Sequence, residues 1–217
     1  MKKLLAITSL AMMLFVSNAI AETRYGLSLS YANVEADGSE TEGGEKTNGS
    51  ASNDVFIPSI FIEAVSGPFA LGLDYVPFDA DVSNKTKQRT DTETSVTGTA
   101  TATTTSRTQK AQASLQDHIT LYARYNLTDG FYLTGGIAQV SLVTEESLDT
   151  GSKYGDKDIN GYLYGIGVTD GSSRLELSYT DYEAFSLSST VARTGVTTNN
   201  KIEADLDVLQ LKYSYAF

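Results

Sequence analysis

Large apolar residues and small or polar residues alternate at every second position in many segments of this chain. In Tyr25–Ala32 the odd positions are Tyr or Leu, and the even positions are Gly, Ser or Ala. A period of two places successive side chains on opposite faces of a β-strand. The pattern predicts eight strands: Tyr25–Ala32, Phe56–Glu63, Phe69–Val76, His118–Tyr125, Phe131–Ile137, Gly161–Val168, Leu175–Thr180 and Leu209–Phe217.

The connections between these strands are alternately long and short. The long ones are Val34–Asp54, Asp79–Ala113, Thr144–Asp158 and Glu183–Glu203, and the short ones are Val65–Pro68, Leu127–Gly130 and Asp170–Ser173. Transmembrane barrels have long loops on the outer side and tight turns on the periplasmic side. The sequence therefore predicts an all-β, antiparallel, up-and-down barrel of eight strands, with four long outer loops and three tight periplasmic turns.

A soluble β-sandwich or a lipocalin-like barrel would also show alternation. Strand by strand, either face could point inward. The residues on the second faces include Gly26, Gly72, Gly165, Gly167, Ser178 and Ser214. Such small residues cannot fill a dry core.

Tyrosines also mark strand ends, as girdles do at both interfaces of a membrane barrel: Tyr25, Tyr31, Tyr75, Tyr125, Tyr179, Tyr213 and Tyr215. These features favour a barrel in lipid, with its apolar faces outward. Leu29, Leu73, Leu177 and Leu211 meeting in a shared dry centre would contradict it. Because an unpaired strand edge is costly in lipid, the last strand should pair with the first.

The first 21 residues have the pattern of a secretory signal peptide. Lys2 and Lys3 precede an apolar stretch from Leu4 to Ile20, and Ala19-Ile20-Ala21 forms an A-x-A cleavage site. A membrane-anchoring helix is the alternative, but the apolar stretch is short for a span. The expected domains are therefore a cleaved signal peptide, residues 1–21, and a barrel, residues 22–217.

The composition narrows the range of possible chemistry. The chain of 217 residues has a formal net charge of -11 and no Cys. An acidic protein repels nucleic acid, so no nucleic-acid partner is expected. Without Cys neither a disulfide nor a thiolate metal site can form. We expect no cofactor and no metal site.

Five charged residues on the inward faces are predicted to form an ion-pair network in the periplasmic half of the barrel: Glu63, Asp74, Arg124, Glu176 and Lys212. Asp74 and Arg124 lie on neighbouring strands, as do Glu176 and Lys212. Such a network would plug a lumen that is only wide enough for side chains. The inward Gly and Ser residues would leave room for water above the plug. Separately solvated lumen residues are the alternative.

The single histidine is the one imidazole available as a catalytic base. Near His118 no Ser lies at a strand-compatible offset, and alternation places its side chain in the lumen. A hydrogen-bonded lumen histidine is therefore expected, and not an enzyme.

Two of the long connections have unusual compositions. The acidic segment Val34–Asp54 is expected to be a solvated, flexible loop, with cation or receptor binding as the alternative. The segment Thr86–Thr108 contains 11 Thr in 23 residues. It is either a hairpin beyond the membrane, with a role in adhesion, or a low-complexity disordered segment.

Three stretches resemble the small OmpA/OmpX/opacity-type outer-membrane β-barrel family of Gram-negative bacteria. They are the turn Leu127–Gly130, the strand Gly161–Val168 and the terminal Tyr213–Phe217. The alternate residues Leu209, Leu211, Tyr213, Tyr215 and Phe217 resemble the assembly signal of that family. Since the chain stops at Phe217, a peptidoglycan-binding C-terminal domain of the OmpA kind is not expected.

The resemblance implies a monomer in the outer membrane, in contact with lipid and lipopolysaccharide. Phe217 would engage the barrel assembly machinery. Members of the family are adhesins, evasion factors, membrane stabilisers or minor channels. The expected function is therefore a non-enzymatic surface protein that stabilises the membrane and takes part in adhesion or recognition through outer loops. A narrow porin-like channel is the alternative.

Overall fold

The computed structural model describes residues 22–42, 45–81, 87–97, 101–147, 153–190 and 200–217. The predicted signal peptide, residues 1–21, lies outside them. The strands are β1 (Glu22–Glu42), β2 (Glu45–Ser66), β3 (Phe69–Tyr75), β4 (Ala80–Asp81), β5 (Lys87–Thr97), β6 (Thr101–Thr128), β7 (Phe131–Ser147), β8 (Lys157–Thr169), β9 (Ser173–Ser188) and β10 (Lys201–Ala216). The residues that the structure describes include no helix with the length and apolar character of a membrane span.

Eight strands close into an antiparallel ring in the order β1, β2, β3, β6, β7, β8, β9 and β10. The last strand pairs with the first, with Gly26 opposite Ala216. The backbone N–H of Phe217 also donates to the carbonyl of Tyr25 at 2.8 Å. The predicted barrel and its closure are therefore confirmed.

Tight turns join the strands at the rim that also holds both ends of the barrel. Gly67 (φ 57°) and Gly171 (φ 104°) have left-handed backbone conformations, which Gly adopts without a Cβ clash. In the β8–β9 turn, the carboxylate of Asp170 accepts the backbone N–H groups of Ser172 and Ser173 at 3.2 and 2.7 Å. Such a side chain mimics a backbone turn and fixes the reversal.

The opposite rim differs from the sequence prediction, because most of the expected loops are built from strands. Within the segment Val34–Asp54, β1 and β2 stay paired as far as Glu42 opposite Glu45. The predicted flexible loop there is wrong. β5 pairs with β6 from Lys87–Ala111 to Thr97–Thr101, so the Thr-rich segment forms the predicted hairpin. Cross-strand pairing supports these segments, although their polar residues show little strand pattern on their own.

A β-bulge interrupts β6 where the ring meets these outer extensions. The pairing with β7 shifts between Gln116 and Ile119, and Asp117 adopts a left-handed φ of 51°. One extra residue moves the inward set of side chains by one position. Thr120 and Arg124 face the lumen below the bulge, whereas Ala113 and Leu115 face it above.

Candidate functional site

The outer wall of the ring is a continuous apolar surface. Leu29, Leu177 and Leu211 expose 50, 47 and 47 % of their surface, although the ring is closed. A monomer in water does not expose such a band around its whole circumference. The same orientation holds for the other outward residues: Tyr25, Leu27, Tyr31, Phe56, Ile60, Ile62, Phe69, Tyr125, Phe131, Leu133, Ile137, Tyr162, Tyr164, Ile166, Val168, Leu175, Tyr179, Leu209, Tyr213, Tyr215 and Phe217. The predicted outward orientation of the apolar faces is confirmed.

Aromatic contacts lie at both edges of this band. At the rim of tight turns, the ring of Phe217 lies 5.2 Å from Tyr215 and 6.3 Å from Tyr25. At the other edge, the rings of Tyr31 and Phe56 lie 5.3 Å apart. Amphipathic aromatic rings prefer the membrane–water interface. A closed β-barrel with an apolar band between two aromatic edges spans the bacterial outer membrane.

Polarity inverts along the strands at the outer edge of the band, although the alternation itself continues. On β10, Leu209 and Leu211 point out while Gln210 points in. Farther out on the same strand, Asp205 points outward and Leu206 is buried. Water replaces lipid as the outer solvent at this level, so the apolar residues move to the inside.

An ion cluster centred on Glu63 fills the lumen at the level of the band. Glu63 is fully buried on β2 and accepts hydrogen bonds from Arg124 Nη2 at 3.1 Å and Tyr122 Oη at 3.1 Å. Arg174 on β9 forms a bidentate pair with the same carboxylate, with Nη1–Oε2 at 2.9 Å and a second bond from Nη2 to Oε1. Two guanidinium groups from β6 and β9, three strands apart in the ring, therefore share one carboxylate.

The other inward charges lie next to this cluster. Lys212 Nζ on β10 is 3.4 Å from Asp74 Oδ2 on β3, and Ser59 donates to the same oxygen at 3.1 Å. Glu176 accepts a hydrogen bond from Thr134 at 2.8 Å. The five predicted residues lie together, but the ion pairs differ from those that strand adjacency suggested. Asp74 pairs with Lys212, and Arg124 with Glu63, because these side chains reach across the lumen.

Sequence reasoning missed Arg174, which is 5 % exposed. It directly follows the β8–β9 turn, where the predicted strand had not yet begun. The signal was present, since Arg174 lies two residues before Glu176 and must share its inward face.

The sequence suggested that inward glycines leave room for water, but the space directly beside three of them is filled. An aromatic ring on the neighbouring strand covers each of three of them: Phe61 opposite Gly26, Tyr122 opposite Gly72 and Tyr132 opposite Gly167. A Cβ added at Gly72 would lie 2.2 Å from Tyr122 Cζ, and one at Gly167 would lie 2.4 Å from Tyr132 Cζ. The missing side chains provide the space that the rings fill.

An apolar core closes the lumen above the ion cluster. Its buried members are Ala32, Ala138, Val140, Leu142, Ile159, Tyr182, Leu187, Leu206 and Val208. These residues begin at the outer edge of the band and continue beyond it. They were missed because most of these positions lie between a predicted strand and a predicted loop and belong to neither. The sequence signal was again alternation, but here the apolar residues are the inward ones and the polar residues are the outward ones.

His118 lies between the ion cluster and the apolar core. Its Nε2 is 2.9 Å from the hydroxyl of Tyr182, which belongs to the core. The side chain therefore faces the lumen and is hydrogen-bonded. Among the described residues, no group of three or more His, Asp or Glu side chains is placed to hold a metal ion.

The surface outside the membrane is mainly acidic. On the outward face of β1 and β10, Glu35 lies opposite Asp207 and Asp37 lies opposite Asp205. Asp181 on β9 lies next to Asp207. The hydrogen bond and positive charge of Lys201 lower the pKa of the exposed carboxyl of Glu203. Acidic side chains therefore neighbour one another across β1, β10 and β9.

No protein-family model matches the chain, and no curated protein matches its sequence. Solved outer-membrane proteins are similar in structure. The outer membrane protein OprG from Pseudomonas aeruginosa has 13% identity and a TM-score of 0.49, covering 91% of this chain and 97% of that one. The attachment invasion locus protein Ail of Yersinia pestis, in complex with the heparin analogue sucrose octasulfate, has 10% identity and a TM-score of 0.42, covering 89% and 99%.

The outer membrane protease OmpT from Escherichia coli is also similar, with 11% identity and a TM-score of 0.44, covering 90% of this chain and 96% of that one. At these identities, the activity, ligand or partner of any of the three proteins cannot be assigned to this chain.

Proposed function

We propose that this chain is a non-enzymatic outer-membrane barrel of the OmpA/OmpX/opacity type, which stabilises the membrane and recognises a partner through strand hairpins on the cell surface. One observation carries the proposal. The strands continue beyond the apolar band as paired hairpins on an apolar core, although a barrel that only spanned the membrane would need no such extension.

The β1–β2 hairpin shows the size of this extension. Beyond Tyr31, β1 continues through eleven more residues to Glu42, which is about 36 Å along the strand. Its outward face is polar and acidic, while Val34, Ala36, Val55 and Ile57 pack on the core. A surface held in one conformation loses little entropy on binding, so a rigid hairpin suits recognition better than a flexible loop.

The position of His118 supports a non-enzymatic function. A substrate arriving from outside would have to pass the apolar core to reach the imidazole, which is already hydrogen-bonded to Tyr182. A general base must lie within hydrogen-bond reach of the proton it removes. Hydrolysis of a lipid or peptide substrate that the His118→Ala variant loses would contradict this part of the proposal.

The proposed partners follow from the surfaces of the barrel. The apolar band contacts lipid and the lipid part of lipopolysaccharide, and no second copy is needed to cover it, so we propose a monomer. The terminal strand, with Leu209, Leu211, Tyr213, Tyr215 and Phe217 outward, is proposed to be read by the barrel assembly machinery.

Shortening the hairpins tests the recognition function. One variant replaces residues 40–47 of the β1–β2 hairpin by Asn-Gly, and a second replaces residues 91–107 of the β5–β6 hairpin in the same way. Each replacement leaves a pair of cross-strand partners next to the new turn, so the ring should still form. We expect at least one variant to lose binding of whole bacteria to host cells or matrix proteins.

The control Asp129→Asn creates the same Asn-Gly turn at the periplasmic rim without shortening a strand. It should bind like the wild type. All proteins must first show equal amounts in the outer membrane. Unchanged binding by both shortened variants and by their combination would contradict the proposal.

A further inference from the structure

Two different layers fill the lumen, and they differ in polarity. The ionic layer contains Glu63, Arg124 and Arg174 together with Asp74 and Lys212. The apolar core begins above it, at the outer edge of the membrane band. An ion crossing the barrel would meet each layer in turn, and the two layers would oppose it in different ways.

The ionic layer offers polar partners to a passing water molecule or ion. A cavity of about 30 Å³, the size of one water molecule, is lined by Lys212, Glu176, Thr120 and both arginines. The buried Nε–H groups of Arg124 and Arg174 have no acceptor in the protein. Buried donors of this kind are normally satisfied by water. This layer is therefore hydrated, and an ion within it finds charged and hydroxyl ligands.

Apart from the hydroxyl of Tyr182, which is hydrogen-bonded to His118, the buried side chains of the apolar core have no polar groups. On β7, Ala138, Val140 and Leu142 are 0, 2 and 5 % exposed and form three successive inward layers, about 9–13 Å along the strand. Side chains from β1, β8, β9 and β10 meet them, with Ala32, Ile159, Leu187 and Leu206 among the buried members. Apolar constrictions exclude water, and an ion without ligands pays a large desolvation cost.

We propose that the apolar core above the membrane, and not the salt-bridge layer within it, is the permeability barrier of this barrel. The salt bridges connect strands of the barrel wall across the lumen, while the apolar core excludes water and ions from the lumen. This inference does not depend on whether the hairpins bind a partner, so either proposal can fail alone.

Conductance of the refolded full barrel in planar bilayers tests the inference. The wild type should show no steady openings. The variant Val140→Asn/Leu206→Asn introduces polar side chains into the core from two strands and should raise the ion conductance at least tenfold. The matched variant Asp74→Asn/Lys212→Met removes an ion pair from the salt-bridge layer without changing the net charge, and it should stay at the wild-type level.

Circular dichroism of the same samples must show equal β-sheet content. If the double core variant does not fold, the isosteric pair Val140→Thr and Val208→Thr makes the same test with a smaller change in volume. A folded polar-core variant that stays closed would overturn the proposal. Steady wild-type openings, or openings caused by Asp74→Asn/Lys212→Met, would also overturn it.

Discussion

At the scale of single residues, Glu63 shows how a charge is kept in the lumen. It is fully buried and accepts four hydrogen bonds, two from Arg174 and one each from Arg124 and Tyr122. Arg174 also lies over the ring of Phe61, with Cζ 5.2 Å from the ring centroid. Removing water from ions is costly unless the partners are well placed, and here every lone pair direction of the carboxylate has a donor.

The variant Glu63→Gln should lower the free energy of unfolding by about 3–5 kcal/mol, because two buried guanidinium groups lose their shared counter-charge. Urea unfolding in detergent micelles, followed by circular dichroism, measures the change. Glu22→Gln is the control, since Glu22 also pairs with an arginine, at 3.0 Å, but in solvent at the periplasmic rim. The control should unfold like the wild type, and equal unfolding of Glu63→Gln would show that the lumen cluster contributes nothing.

The variant Gly72→Ala tests the pairing of inward glycines with aromatic rings. A Cβ at Gly72 must push aside the ring of Tyr122 and thereby its hydrogen bond to Glu63, so we expect a loss of about 1–3 kcal/mol. The control is Gly135→Ala on the lipid-facing side, where the nearest atom to an added Cβ is 3.9 Å away. The same unfolding assay compares them, and equal effects of the two substitutions would contradict the role given to the ring.

At the scale of the strand, side chains keep alternating inward and outward along the long strands of the ring, apart from the bulge in β6, but these strands pass through two solvents, lipid and water. β9 shows this clearly, since Leu177 and Tyr179 point into lipid, whereas Asp181 points outward into water and Tyr182 is buried. The position at which polarity inverts marks the outer edge of the membrane on each strand. Such inversions of polarity indicate strand extensions within the segments that the sequence pattern predicted to be loops.

The variant Leu177→Arg places a charge near the middle of the lipid-facing surface and should cost about 2–4 kcal/mol of folding free energy in liposomes. Asp181→Arg is the matched control on the same strand, two outward positions beyond the first. It lies opposite Asp207 and should not destabilise the barrel, because it replaces a like-charge pair by an opposite one. An equal loss for both variants, measured by urea titration, would place the membrane edge elsewhere.

At the scale of the whole molecule, the closed ring depends on contacts between its two ends. β1 and β10 pair from Gly26–Ala216 to Thr41–Lys201, which seals the wall in lipid and continues into the outer extension. The cross-lumen bonds from β2 to β6 and β9 tie the two halves of the ring together. Closure leaves no strand edge of the ring exposed to hydrocarbon at this seam.

Deleting Phe217 tests the proposed assembly signal separately from the stability of the barrel. We expect less barrel in the outer membrane of cells, because the assembly machinery would lose the terminal aromatic ring, while spontaneous refolding into liposomes stays unchanged. Phe131→Ala, at an outward position near the same rim, is the control and should leave both quantities unchanged. Normal membrane amounts without Phe217 would contradict the proposed signal.

The sequence by itself determined the eight strands of the ring, the closed barrel and the outward direction of the apolar faces in the membrane, because alternation over eight residues is a local property. It also identified the inward charges. Only the tertiary structure decided that Asp74 pairs with Lys212 and that Arg174 joins Glu63, since side-chain reach across a lumen depends on the shape of the ring. The strand extensions and their apolar core were likewise decided by cross-strand pairing. The height at which the polarity of an alternating face inverts depends on where water replaces lipid, which no short segment records.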